Sequence, residues 1–191
     1  MTAGDEVRSG DGGAYRLRHT QGDVVPVTVT YLEMRAPPAE PAPPAPPGVT
    51  VAHLVAPSVE RYRELYNAVG HDWYWVDRLR MPDAALREML EDPRVEVQVL
   101  RVDGREAGYA ELDRSEPGEV RLMYFGLMPG FIGRGLGRWF LRWAVDRAWS
   151  HAPGRVWVDT CTLDHPRALA NYLDAGFRRF GERVKQVEIP W

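Results

Sequence analysis

The sequence predicts a mixed α/β domain behind an N-terminal segment, and three observations support this. From Val49 onward, strand-like runs alternate with runs whose apolar residues recur at helical spacing. Two of the strand-like runs are joined by Asp103-Gly104, a dipeptide typical of tight hairpins. A glycine-spaced loop at 130–137 follows another such run and opens a long helical pattern. Together these features indicate one sheet flanked by helices.

Residues 1–48 are predicted to form a flexible extension that carries one strand. Residues 1–23 are rich in Gly, Asp and Arg without periodicity, so we expect them to be mobile. Residues 24–34 contain a β-branched run that predicts a strand, with Pro26 favouring its beginning or a sheet edge. Residues 36–48 hold seven prolines in thirteen positions, which predicts a stiff polyproline-like spacer. We interpret the spacer as a plain linker rather than a recognition motif.

The domain at 49–191 begins with a strand, two helices and then three strands. Residues 49–55 predict the first strand, and Ser58 begins a helix whose apolar residues recur at helical spacing. A short helix follows at 83–90, with Asp83 as its N-cap. The next three strands, separated by Asp103-Gly104 and by Pro117-Gly118, are predicted at 95–102, 106–113 and 119–127.

The last part of the chain continues the alternation. A long helix is predicted at 133–149, a strand at 155–161 and a helix at 165–174. A last hairpin is predicted through Gly181-Glu182, ending near Trp191.

Composition excludes several classes of function. A chain of 191 residues with 45% hydrophobic content can bury one sizeable core, and its formal net charge of −3 gives no reason to expect a nucleic-acid partner. No 18 consecutive apolar residues occur and the start is acidic, so we expect no membrane partner, no secretory signal and a cytoplasmic protein, monomeric or homodimeric. The single Cys161 excludes an internal disulfide, and five histidines without ligand spacing predict no metal.

The loop before the long predicted helix has the properties of an anion site. Gly133, Gly135 and Gly137 stand at every second position, which lets the backbone approach a phosphate closely. The N–H groups and the positive dipole end of the helix that follows favour negative charge. The spacing does not make a dinucleotide G-x-G-x-x-G, and no Gly-Lys-Ser/Thr follows, so neither of those phosphate loops is present.

This loop resembles the signature of the GNAT superfamily of acyl-CoA-dependent N-acetyltransferases, Arg/Gln-x-x-Gly-x-Gly/Ala. Gly135 and Gly137 match its glycines, whereas Ile132 stands at the Arg/Gln position, and Arg134 supplies a charge from inside the loop. About 40 residues later, residues 163–177 resemble the late helix of the family with its closing Tyr-x-x-x-Gly-Phe. Both motifs occur in the family's order, and the resemblance covers residues 49–191.

The resemblance implies a mixed, mostly antiparallel central sheet flanked by helices, with acetyl-CoA as co-substrate and an amine as acceptor. It also implies oxyanion or carbonyl contacts from backbone N–H groups near Leu127. The residues that it assigns to acetyl-CoA binding are Leu127, Met128, Ile132, Gly133, Arg134, Gly135, Leu136, Gly137 and Tyr172.

Acyl transfer to an amine needs a base for the amine and benefits from an acid for the departing thiolate. The resemblance assigns the acid to Tyr172, whose phenol stays protonated at neutral pH; the alternative is that it only packs or hydrogen-bonds the pantetheine. Glu111 is the candidate base, because a carboxylate in a largely apolar strand is costly unless paired or functional. A salt bridge to Arg121 is the alternative. Weaker candidates for the base are Tyr124, Asp159 and His165.

The resemblance implies that acceptor specificity lies largely in the segment between the first two strands of the domain. Trp73, Tyr74 and Trp75 stand between acidic residues, so with Tyr124 they form a candidate pocket for an amine with an apolar body. Asp72 or Asp77 would hold the amine's charge. The alternative is that these aromatics fill the core while the acids face water.

The sequence therefore predicts an N-acetyltransferase that transfers the acetyl group directly to a primary amine of a small molecule or peptide in a ternary complex. Cys161 is expected to be a structural residue, because no ordering of His and Asp around it supports a nucleophile. A catalytically silent acyl-CoA-binding module or sensor is the first alternative. A scaffold whose N-terminal strand docks onto a partner is the second.

Overall fold

Residues 19–191 are described by the computed structural model of this chain, and they build one sheet with helices on both faces. The expectation that residues 1–23 are mobile falls mainly on residues 1–18, which lie outside the described part. The seven strands are β1 Val24–Met34, β2 Val49–His53, β3 Val95–Val102, β4 Arg105–Asp113, β5 Glu119–Leu127, β6 Arg155–Cys161 and β7 Arg178–Glu188. The five α-helices are α1 Val59–Gly70, α2 Asp77–Arg80, α3 Asp83–Glu91, α4 Leu136–Trp149 and α5 Ala168–Asp174. Two short 3₁₀ turns lie at His71–Trp73 and Pro129–Phe131.

The sheet has the strand order β2-β3-β4-β5-β6-β1-β7. Every neighbouring pair is antiparallel except β5 and β6, which run parallel. The β3–β4 hairpin turns at Asp103 and Gly104, whose φ angles of 49° and 77° are both positive, as a type I′ turn requires. The predicted mixed, mostly antiparallel sheet flanked by helices is confirmed.

Strand β1 lies inside the sheet rather than at its edge. It pairs with β7 from Val24 to Glu33, and with β6 only from Val29 onward. Pro26 therefore stands where β1 has one neighbour, a position in a sheet that tolerates a residue without an N–H. The strand predicted for the N-terminal extension is thus part of the same sheet as the strands of 49–191. The division of the chain at residue 48 stays a prediction.

The predicted last hairpin through Gly181-Glu182 is wrong. Residues 178–188 form one strand, β7, which pairs along almost the whole of β1. Gly181 lies opposite Tyr31, at the point where the register of the two strands shifts. Because β1 offers a long unpaired edge, continued pairing with a bulge replaces the turn.

Three helix starts also differ from their predictions. Asp83 is the first residue of α3 and not its N-cap, since the extended residue Pro82 precedes the helix. Helix α4 begins at Leu136 and not at 133, because Gly133 and Gly135 have φ angles of +84° and +78°, which no right-handed helix accepts. Helix α5 begins at Ala168, three residues after its predicted start. In α1, Ser58 caps the helix as predicted, accepting a hydrogen bond from the N–H of Arg61 at 3.2 Å.

The proline-rich spacer, residues 36–48, lies against α4, and we call it the proline strap. The Trp139 indole donates a hydrogen bond to the Pro43 carbonyl at 2.9 Å. Arg142 donates to the carbonyl of Glu40 at 3.0 Å, and the N–H of Ala42 donates to Asp146. The strap connects β1 to β2 at the far edge of the sheet, so its anchoring to α4 fixes the path between them.

The core has two layers, one on each face of the sheet. On one face α4 and α5 pack against the strands, with Phe140, Leu32 and Tyr172 in one cluster. On the other face α1 and α3 pack against β3 and β4, with Tyr62, Tyr66 and Tyr109 at the centre. No helix in the described part of the chain is long and apolar enough to cross a membrane.

Candidate active site

Strands β5 and β6 separate after a short parallel contact. They pair only where Glu119–Arg121 faces Arg155–Trp157. Beyond that point residues 122–127 of β5 pair with β4 on one side and have no strand partner on the other. We call the opening between residues 122–127 and residues 158–161 the cleft. A gap within a sheet exposes backbone polar groups that a ligand can satisfy.

One end of the cleft is the N-terminus of α4. No side chain caps this helix, and its first turn carries no acidic residue. A Cβ placed on Gly133 or on Gly135 would meet no protein atom within 4 Å, so the backbone there borders open space. Free N–H groups and the helix dipole make this a fitting cradle for a pyrophosphate. Arg134 lies beside the cradle, with its guanidinium carbon 5.2 Å from the centre of the Phe131 ring.

The other residues predicted to bind the cofactor lie around this cradle at the N-terminus of α4. The N–H of Met128 donates to the Ala107 carbonyl at 2.8 Å, so this group is already engaged. Leu136 is buried, and the Leu127 side chain lies within 3.5 Å of a Cβ built on Gly137. Ile132 is half-buried and ends the 3₁₀ turn. The charged side chain of the family motif is absent at Ile132, and the fit to a pyrophosphate depends on backbone groups and Arg134.

Tyr172 lies on the α4 face of the sheet. It is 7% exposed and packs edge-on against Phe125 and Phe177, with ring centroids 6.4 and 5.9 Å away. Its hydroxyl makes no hydrogen bond to any residue that the structure describes. Burial raises the pKa of this phenol far above its usual range, and the negative charges of Asp164 and Asp159 add to that shift. The group is therefore protonated at neutral pH and free to donate.

Glu111 lies on the opposite face and is fully buried. Arg78 donates a hydrogen bond to Oε1 at 2.6 Å, and the Tyr62 hydroxyl donates to Oε2. Burial is the largest single influence on the pKa of Arg78 and lowers it, but Glu111, Tyr62 and Tyr124 together outweigh burial, so the pKa is raised. The alternative salt bridge to Arg121 is wrong, because Arg121 pairs with Asp159 at 2.6 Å. Both oxygens of Glu111 are thus engaged and away from solvent.

The structure keeps the predicted acid and base apart. Tyr172 belongs to the core layer that contains Phe140, whereas Glu111 contacts Tyr62 of the other layer. Alternation along β5 explains this, because Phe125 points towards Tyr172 and its neighbour Tyr124 points towards the opposite layer. The cleft is the place where a ligand can reach both faces.

The four predicted acceptor residues fall into three places. Trp75 and Tyr124 meet, with ring centroids 5.0 Å apart, and both contact Tyr66. Trp73 packs edge-on against His165 at 5.3 Å. Tyr74 has a left-handed backbone, with φ 59°, and lies away from them, between His19 at 6.2 Å and Trp191 at 6.4 Å. Among the acids proposed to hold the amine, Asp77 accepts a hydrogen bond from Tyr124 at 3.4 Å.

Sequence reasoning missed Asp164, which lies at the mouth of the cleft. Its Oδ2 accepts hydrogen bonds from the Thr160 hydroxyl at 2.7 Å and from the N–H of Cys161 at 2.8 Å. The Trp75 indole points to its Oδ1 at 3.5 Å. Its position just after a strand of the cleft was a usable signal. Burial and the charge of Asp164 raise the pKa of the Cys161 thiol to about 11, which leaves that thiol unactivated.

The other candidate groups give no better base. Burial lowers the pKa of His165, and the positive charge of Arg167 lowers it further. The imidazole is therefore neutral at neutral pH. Asp159 is committed to Arg121. Within residues 19–191, no three His, Cys, Asp or Glu side chains come together as a metal site would need.

Comparisons with known proteins agree with this geometry. The model of the Acetyltransferase (GNAT) family matches residues 62–177. The chain is 34% identical over 146 residues to the N-alpha-acetyltransferase RimI of Mycobacterium tuberculosis, covering 74% of this chain and 85% of that protein. It is 38% identical over 93 residues to the mycothiol acetyltransferase of Salinispora arenicola, covering 47% of this chain and only 29% of that protein.

Solved structures show the same fold. A GCN5-related N-acetyltransferase from Sphaerobacter thermophilus superposes with a TM-score of 0.62 at 21% identity, over 87% of this chain and 53% of that one. The ribosomal-protein-S18-alanine N-acetyltransferase of Escherichia coli superposes with a TM-score of 0.55 at 15% identity, over 75% of this chain and 95% of that one. The glycine cradle, the cleft and these matches agree, and the chain belongs to the GNAT acetyltransferase family as an acetyl-CoA-dependent acyltransferase.

Proposed function

We propose that this protein transfers the acetyl group of acetyl-CoA directly to a primary amine of a small molecule or peptide, with both substrates bound together. The observation that carries the proposal is the cleft. It joins an uncapped helix N-terminus to Tyr172 on one face of the sheet and to Trp75 and Tyr124 on the other. Two substrates can therefore approach each other through the gap between β5 and β6.

The residues of the cradle would hold the co-substrate. The backbone at Gly133 and Gly135 borders open space, and the N–H groups of residues 133–137 would bind the pyrophosphate there, helped by the dipole of α4. Arg134 adds positive charge at the rim of the cradle. Acetyl-CoA supplies the activated acetyl thioester. Unpaired backbone groups of residues 122–127 would orient its pantetheine arm along β5.

Tyr172 would act as the general acid. Its hydroxyl has no hydrogen-bond partner in the described part of the chain and holds its proton firmly at neutral pH. A raised pKa makes it a weak acid, and a thiol of pKa about 8.5 is a tolerable leaving group, so the contribution of the acid should lie at the low end for general acid catalysis. The role of Tyr172 is therefore to place a proton beside the departing sulfur.

Glu111 is assigned to positioning. A base must reach the proton that it removes, within a hydrogen bond or through one water. Glu111 has no exposed surface, and its two oxygens hold Arg78 and Tyr62. Arg78 in turn lies 5.3 Å over the Tyr124 ring, which borders the cleft. Glu111 thus holds Arg78 in place, and Arg78 supports the Tyr124 ring in the wall of the acceptor site.

The acceptor is an amine in either of two settings. The relatives include proteins named for N-alpha-acetylation and for acetylation of ribosomal protein S18, and one named for mycothiol. Trp75 and Tyr124 offer an apolar wall that suits an amine with an apolar body in both settings. A cytoplasmic location and a monomeric or homodimeric state remain predictions from the sequence.

A thermal melt tests the co-substrate. Acetyl-CoA and free CoA should raise the melting temperature, whereas NAD should not. At one hundred times the dissociation constant the stabilisation is about 2.7 kcal/mol, which corresponds to about 5 to 11 °C for a chain of this size.

An amine panel with thiol detection then tests transfer. It should include a peptide that begins with alanine, and 2-phenylethylamine as a small amine. Release of thiol with either one confirms transfer and names the setting. A melting shift without thiol release from any amine would contradict transfer and favour an acyl-CoA-binding module.

A further inference from the structure

Three carboxylates on strands of the sheet have cationic partners, whereas Asp164, half-buried in the loop after β6, has none among residues 19–191. Asp164 makes no ion pair with any residue that the structure describes, and burial raises the pKa of its carboxyl group. A buried charge without a counterion is costly, so proteins tend to pair it. The paired carboxylates are Glu96 with Arg147, Glu111 with Arg78, and Asp159 with Arg121.

The two oxygens of Asp164 have different surroundings. Oδ2 accepts two short hydrogen bonds, from Thr160 and from the N–H of Cys161, and these hold the loop after β6. Oδ1 has only the Trp75 indole, at 3.5 Å, which is the limit of a hydrogen bond. Oδ1 therefore retains most of its capacity to accept from a ligand.

Asp164 Oδ1 lies beside Trp75, one of the aromatic residues that border the cleft. Trp75 packs on Tyr124 of β5, so the contact between Trp75 and Asp164 spans the mouth of the cleft. The negative charge of Asp164 also contributes to the raised pKa of Tyr172, after burial. Trp73 also contacts this loop, because its ring packs edge-on against His165, the residue after Asp164.

We propose that Asp164 binds the ammonium group of the acceptor through Oδ1, and that the acceptor is a primary ammonium attached to an apolar or aromatic body. This proposal rests on the proposed transfer to an amine, in which the bound ammonium first releases a proton to water and the neutral nitrogen then attacks the thioester. A bound ammonium supplies a counterion that residues 19–191 do not provide, and indole rings attract both a cation and an apolar chain. Asp164 replaces Asp72 and Asp77 as the residue that holds the charge.

The competing explanation is that Asp164 only holds its loop. The substitution Asp164→Asn distinguishes this structural role from binding of the ammonium. An amide oxygen in the place of Oδ2 still accepts from Thr160 and Cys161, so the loop hydrogen bonds survive. The charge at Oδ1 is lost. Asp174→Asn is the matched control. Asp174 is exposed on α5, so this substitution removes the same charge at a place away from the cleft.

Calorimetric titration with 2-phenylethylammonium chloride measures the proposed contact, and 2-phenylethanol is the neutral counterpart. The unmodified chain should bind the ammonium at millimolar concentration or better and at least about tenfold more tightly than the alcohol. Asp164→Asn should weaken the binding of the ammonium by about tenfold or more and leave the binding of the alcohol unchanged. Asp174→Asn should change the affinity for neither compound. In the thiol assay, Asp164→Asn should raise KM for the amine. In the thermal melt, the same variant should keep the shift of the melting temperature with CoA.

Two results would overturn the proposal: no binding of the ammonium to the unmodified chain, or equal binding to the chain with Asp164→Asn. Failure of the proposed function looks different. It would appear as no melting shift with acetyl-CoA, while the titration still decides whether Asp164 binds an ammonium.

Discussion

The substitution Glu111→Gln tests the assignment of this buried carboxylate to positioning. Glu111 is 0% exposed and is the counterion of Arg78, itself buried, at 2.6 Å. Removing one partner of a buried ion pair leaves an uncompensated charge and costs about 3 to 5 kcal/mol. For a chain of this size each kcal/mol is worth about 2 to 4 °C, so the melting temperature should fall by about 6 to 20 °C.

Thermal and urea unfolding of four proteins measure this: the unmodified chain, Glu111→Gln, Arg78→Met and the double variant. The double variant should be less destabilised than the sum of the single ones by at least about 1 kcal/mol, because the second change removes the unpaired charge. Turnover of folded Glu111→Gln should fall by less than about tenfold, since a positioning residue does not carry the proton. A melting temperature unchanged by Glu111→Gln, together with a turnover reduced by about a hundredfold or more, would show that the carboxylate is the base and refute the reasoning.

Three further substitutions have distinct expected results. Tyr172→Phe should lower turnover by about a hundredfold, the low end for a general acid, and normal turnover would remove the acid role. Both the CoA melting shift and the unfolding free energy should stay nearly unchanged, because the hydroxyl has no hydrogen-bond partner among residues 19–191. Gly135→Val should abolish the CoA melting shift, since the residue has φ +78° and its Cβ would fill the open space of the cradle, and a retained shift would show that the phosphates bind elsewhere. Asp164→Asn should raise the melting temperature at pH 7: burial raises the pKa of Asp164, so the folded state binds its proton more tightly than the unfolded chain does, and stability is lost as pH rises from about 3.9 through the folded pKa. The gain should vanish in melts below pH 4, and a variant less stable at every pH would mean that the charge stabilises the loop.

Much of the fold could be predicted because its signals are local. The strand limits at Val95–Val102, Glu119–Leu127 and Arg155–Cys161 agree with the predicted ones, and the Asp103-Gly104 turn fixes its hairpin. The last strand could not be predicted in this way. Gly181-Glu182 carries a turn signal, but the pairing partner of β7 is β1, which lies about 150 positions earlier and outweighs a local preference.

The candidate site was predictable where a residue type is unusual for its place. A carboxylate in an apolar strand identified Glu111 as exceptional, but its partner Arg78 comes from the four-residue helix α2, whose docking has no sequence signal. Three consecutive aromatics suggested one pocket, yet the left-handed backbone at Tyr74 sends that ring elsewhere. The position of Asp164 just after β6 was a usable signal, but its lack of a cationic partner among residues 19–191 is a property of the folded molecule that no spacing reports.

The place of β1 in the sheet has a consequence for how the protein is made. Thr28 at the middle of β1 donates its N–H to the hydroxyl of Thr162, which lies 134 positions later. At 5 to 20 residues per second, a ribosome needs roughly 7 to 27 s to supply that partner. During this time a β-branched strand waits with both edges open, and β7 can join only after β1 is in place. Completion of the sheet is therefore a late event, because β1 must wait for β7, about 150 positions later in the chain.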